Sequence, residues 1–159
     1  MTTCKNLGRH YFYAGHLDEA ELALARMLEI SPQCGLAHYM LGYVHLMQGA
    51  PKEALVEFEQ ESIRKFRLLG LTLAHHAQGR MTQSDEALRE LVERESDVGA
   101  CQIAWAYAYR GDADRAFEWL DRAYARRDTP SWMSRHPLLF SLHADSRWQP
   151  FLHKLGLAD

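Results

Sequence analysis

Nine histidines and three cysteines are the side chains in this 159-residue chain that most invite a metal-binding or nucleophilic role. His38 and His45 lie seven residues apart, and His75 and His76 are adjacent. A helix-borne zinc site wants two ligands at i and i+4 with a third nearby, and no pair here meets that rule. Cys101 falls in a helical interior without a glycine-rich turn, so a thiolate there would need an activating partner that the sequence does not supply. The ten glycines are scattered rather than clustered, so no loop of the kind that cradles phosphate is present. These residues point to packing, and the reading is of a non-enzyme with no metal and no cofactor.

The elements that carry them are set by a ladder of small residues. Gly15, Gly49, Gly79 and Gly111 are each followed five residues later by a small residue, Ala20, Ala54, Ser84 and Ala116. Glycine closes a helix by adopting a left-handed conformation at little cost, so each marks a turn between two helices. Around Gly111 the pattern reads Ile103-Ala104, Tyr107, Ala116, Leu120 and Ala123; around Gly15 it reads Leu7-Gly8, Tyr11, Ala20, Leu24 and Met27. Spacing of three and four puts these residues on facing stripes of paired helices. Helices are expected near 3–14, 18–30, 35–48, 52–62, 65–79, 83–95, 98–110 and 113–126. Glu61 stands where Met27 stood, with no proline after it, and the glycine spacing drops from 34 to 30 residues. A shortened or bent link is therefore expected between the second and third pairs.

This pattern resembles the tetratricopeptide repeat. The resemblance implies an all-α fold: a right-handed α-solenoid of four helix pairs with a C-terminal helical cap. Repeats would span about 1–34, 35–64, 65–96 and 97–130, with residues 131–159 as the cap. That tail carries Trp132, Leu138, Leu139, Phe140 and Leu142, then Trp148, Phe151, Leu152 and Leu155 at helical spacing behind Asp145 or Ser146. Its His136-Pro-Leu-Leu turn and the preceding 115–120 stretch are similar to bacterial repeat arrays that accompany winged-helix regulators or nucleotide cyclases.

The resemblance also implies a concave groove lined by the first helix of each pair. Lys5, Arg9, Tyr13, Tyr39, Tyr43, Leu73, His76, Gln102, Trp105 and Tyr109 point away from the expected packing slots and are the candidate partner-binding residues, Met40 and Met47 lying beside them. Tyrosine and tryptophan offer large contact area at small entropic cost. The family's carboxylate clamp is matched at Lys5 alone, since Arg9 and Met40 replace its asparagines. A protein or peptide segment with apolar anchors is the expected partner, Lys5 and Arg9 meeting acid at one end. The other readings are an effector-sensing segment of a larger transcription regulator or cyclase, and a self-assembling scaffold. In the latter, a homo-oligomer would form through an uncapped first helix.

Bulk properties fit. A formal charge of −3 with basic and acidic residues interspersed gives no general attraction for nucleic acid or anionic membrane. An odd number of widely spaced cysteines suits free thiols in a reducing cytoplasm.

Overall fold

The computed structural model describes residues 10–130 and 132–157. Among the described residues the chain is helical throughout, with no strand. Helical residues 10–13 end α1. They are followed by α2 (Leu17–Ile30), α3 (Ala37–Met47), α4 (Pro51–Gln60), α5 (Arg64–Ala77), α6 (Met81–Glu95), α7 (Ala100–Tyr109) and α8 (Ala113–Ala125). Two short 3-10 segments, Met133–Arg135 and Pro137–Leu142, lead to α9 (Trp148–Leu155). The chain forms two compact units, Met1–Ala87 and Leu88–Asp159, parting inside α6. Helix α6 apart, the 131–159 tail thus shares a unit with α7 and α8.

Each of the four turns is built the same way. Gly15, Gly49, Gly79 and Gly111 have φ between 72° and 80°. In each case the glycine N–H and the next N–H bond back to the closing turn of the helix, as in Gly49 to Leu46 and Ala50 to His45. This arrangement satisfies carbonyls that a helix end would otherwise leave bare. At the start of α8 the Asp112 carboxylate accepts from the Arg115 N–H at 3.1 Å, the side-chain cap expected there.

The small residues sit where helices touch. Ala20, Ala54, Ser84 and Ala116 are all fully buried. Ser84 fits this slot because its hydroxyl donates to the Thr72 carbonyl at 2.9 Å. Phe58 of α4, also fully buried, wedges between α3 and α5 at two glycines. A Cβ on Gly70 would stand 2.1 Å from the Phe58 ring, and one on Gly42 2.7 Å from it. Gly70→Ala should therefore overpack the N-terminal unit and cost about 1–3 kcal/mol in urea unfolding, whereas wild-type stability would mean the ring can swing aside.

The link between the second and third pairs is bent, and Glu61 organises it. Its buried carboxylate accepts from the Tyr39 N–H at 3.0 Å, the Ile63 N–H at 2.9 Å and the Leu36 N–H at 3.4 Å. An anion here meets the unpaired donors and positive end at the start of α3. Leu36, the residue before that helix, holds φ of 72°, a left-handed conformation uncommon for a branched side chain. The proline that ends α2 in the first pair is thus replaced by a buried acid.

The final helix begins one or two residues later than expected. Arg147 precedes α9, and Asp145 accepts from its N–H at 2.9 Å and from its guanidinium. The Arg147 guanidinium holds the Asp145 carboxyl down to about 2. Arg147 also reaches Asp114, and Lys154 reaches Asp121, tying the α9 region to α8.

Candidate functional site

The first helices of the pairs in the N-terminal unit are α1, α3 and α5. Leu41, Gly42 and Val44 of α3 are buried in the inward slots, but so are Ala37, Tyr39 and Tyr43. Tyr43 packs on Phe12 of α1 with ring centroids 5.1 Å apart and stacks on Tyr39 at 6.2 Å. Tyr39 in turn meets Phe58 at 5.9 Å and Phe66 of α5 at 5.0 Å. An aromatic run thus joins α1, α3 and α5. Tyr39 and Tyr43, at 6% and 4% exposure, are consumed by it rather than offered to a partner. Leu73 of α5 is fully buried as well. The physical reason is that a first helix has two neighbours, its own second helix and the first helices beside it. Its buried stripe is correspondingly wider than one packing slot.

The C-terminal unit departs further from the expected open wall. Cys101, Trp105 and Ala108 form one stripe of α7, at i, i+4 and i+7, and the tail lies along it. Cys101 Sγ is 3.6 Å from Met133 Sδ, and the Ser141 hydroxyl donates to the Ala108 carbonyl at 3.1 Å. Between them the Trp105 indole stacks on the His136 imidazole, with centroids 4.1 Å apart and planes 13° from parallel; Trp132 approaches at 5.9 Å. Trp105 is 2% exposed and Gln102 7%. Neither lines an open groove: on the Trp105 face the chain's own tail fills the place assigned to a partner. Burial pushes His136 down to about 3, so its ring is neutral, and its Nδ1 accepts from the Leu138 N–H.

Three of the sequence-derived candidates remain at the surface. Tyr13 is 43% exposed, His76 is half-buried, and Tyr109 is half-buried with its phenol raised by burial. Lys5 and Arg9 lie outside the described residues. Tyr13 shares a signal with Met47, which is 50% exposed: both stand two residues before a turn glycine, as Ala77 and Tyr109 do. That register separates the accessible end of each first helix from its buried middle, and could have been read from the glycine spacing.

The histidines are placed by packing. His38 bonds Glu57 and the Pro32 carbonyl, at 2.7 and 3.1 Å. His45 meets the Gln48 side chain at 3.3 Å. His75 is held below its ordinary range, by burial first and by Arg80 second, with Glu59 opposing. Among the described residues no three His, Cys, Asp or Glu side chains converge as metal ligands. No described helix is long and apolar enough to cross a membrane.

No curated protein matches the chain. Residues 5–67, covering the first two helix pairs, match the tetratricopeptide repeat family. The same glycine turns and buried small residues continue through Gly79 and Gly111. Over residues 5–67, therefore, the chain consists of tetratricopeptide repeats.

Proposed function

We propose that the protein binds a segment of another polypeptide across the accessible ends of the first helices in its N-terminal unit. Tetratricopeptide repeats generally mediate protein–protein interaction. The observation that carries the reading here is that Tyr13 and Met47, equivalent in successive pairs, stay about half exposed although both are large and apolar. Half-buried His76 belongs to the third pair of the same unit. Apolar anchors of the partner would lie against Tyr13 and Met47, methionine adapting to their shape. Lys5 and Arg9 are assigned by sequence to an acidic residue of the same segment, and Tyr109 to an equivalent contact in the C-terminal unit.

Panning a phage library of random 15-residue peptides against the purified protein tests this. Enriched peptides should share apolar residues, and the double variant Tyr13→Ser, Met47→Ser should fold normally yet capture them at least about tenfold less well. Undiminished capture by that variant, or no enrichment at all, would overturn the proposal.

A further inference from the structure

A second surface of the N-terminal unit has a different chemistry. Between α2 and α4, beside the start of α3, lies an open cleft of about 630 Å³. Its apolar lining is Ala25 and Leu28 of α2 and Leu41 of α3. None of Tyr13, Met47 or His76 lines it, so it stands apart from the partner surface proposed above.

The polar side chains of the lining are two carboxylates, Glu29 and Glu57, two amides, Gln33 and Gln60, and the His38 imidazole. His38 is the one lining side chain able to carry positive charge, and both of its ring nitrogens are committed, to Glu57 Oε2 and to the Pro32 carbonyl. Glu57 keeps a second carboxylate oxygen with no hydrogen bond among the described residues. Glu29 is exposed and has no ion pair among them. Gln60 gives one amide N–H to the Val56 carbonyl, and its own carbonyl oxygen can accept. An apolar floor beneath two carboxylates and further acceptors is complementary to an aliphatic stem ending in a donor-only cation. Several acceptors spread around one cleft suit a planar fork of five donors better than the point charge of an ammonium.

We infer that this cleft is a docking site for an arginine side chain of a partner polypeptide. Its stem lies on Leu28 and Leu41, and its guanidinium meets Glu29 and Glu57. The cleft is open along one side, so the residues flanking the arginine pass along its rim.

The probe is the peptide acetyl-Ala-Leu-Arg-Leu-Ala-amide, titrated into isotope-labelled full-length protein and followed by amide chemical shifts. Saturable shifts should centre on Leu28, His38 and Glu57. The same peptide with neutral citrulline in place of arginine should bind at least about fivefold more weakly. Glu29→Gln, an exposed substitution that leaves the fold intact, should weaken the arginine peptide about two- to fivefold. Equal binding of the citrulline peptide, shifts centred elsewhere, no shifts, or unchanged affinity in Glu29→Gln would each overturn the assignment. Failure here leaves the Tyr13 and Met47 surface untouched, because the two experiments read different residues.

Discussion

Trp105→Ala is expected to lower the unfolding free energy of the C-terminal unit by about 3–5 kcal/mol, the range for removing a buried aromatic side chain from a packed core. The indole is 2% exposed and stacked on His136, and Trp132 meets both rings. Removing it opens a cavity beside the His136 and Trp132 rings, and the tail loses its central contact with α7. A side chain held out for a partner would behave in the opposite way, lowering affinity and sparing stability. Urea unfolding distinguishes the two. All four tryptophans lie in the C-terminal unit, so the fluorescence of the remaining three still reports that unit. A loss below about 1 kcal/mol would mean that the tail does not clamp Trp105.

The second large effect is a dependence on acid. His136 is buried and sits at about 3, against an ordinary value of 6.5. In the folded protein the ring stays neutral as pH falls from 6.5 towards 3, while in the unfolded chain it takes up a proton. The unfolded state then binds more protons, so stability is fully present above 6.5 and falls by about 1.4 kcal/mol per pH unit through this window. Between pH 6.5 and pH 4 the loss is about 3 kcal/mol. His75 acts with the same sign in the N-terminal unit, since its value is also lowered. Asp145 acts in the same direction but lower down, its contribution being lost between 3.8 and about 2. His136→Phe keeps a ring against Trp105 and cannot ionise, so its tryptophan-monitored stability should be markedly flatter from pH 6.5 to 4. An unaltered acid slope in that variant would assign the effect to other groups.

Helix positions were legible because their determinants are local. A glycine at positive φ, a small residue five places on and an apolar stripe between them can be read within one repeat, and α2 to α8 run within about two residues of their expected bounds. The bent link was also legible, as a departure at Glu61, though its cause was not: the three N–H groups that Glu61 serves include Leu36 and Tyr39, 25 and 22 residues upstream. The burial of Tyr43 and Trp105 escaped notice for the same reason. Tyr43 is covered by Phe12, and Trp105 by a histidine 31 residues downstream. No periodicity within α3 or α7 records where those partners fall. An aromatic residue opposite the packing slot reads as a free surface until the neighbouring helix or the tail is in place. Tyr13 escaped this because the end of a helix extends past its neighbours, and the turn glycine marks that end.

The Glu61 carboxylate gives the chain an unequal grammar for rearrangement. It belongs in sequence to the end of the second repeat, yet it serves the opening residues of that same repeat, Leu36 and Tyr39, together with Ile63 at the threshold of the third. A recombination that swaps α4 together with the residue after it for the equivalent segment of a relative would strip α3 of its anion unless Glu61 is kept. A duplication of the second repeat would need to copy 35–63 as one block to keep each carboxylate beside the amides it neutralises. The exchangeable piece of this protein is therefore the second repeat taken whole, its last residues fastened to its first.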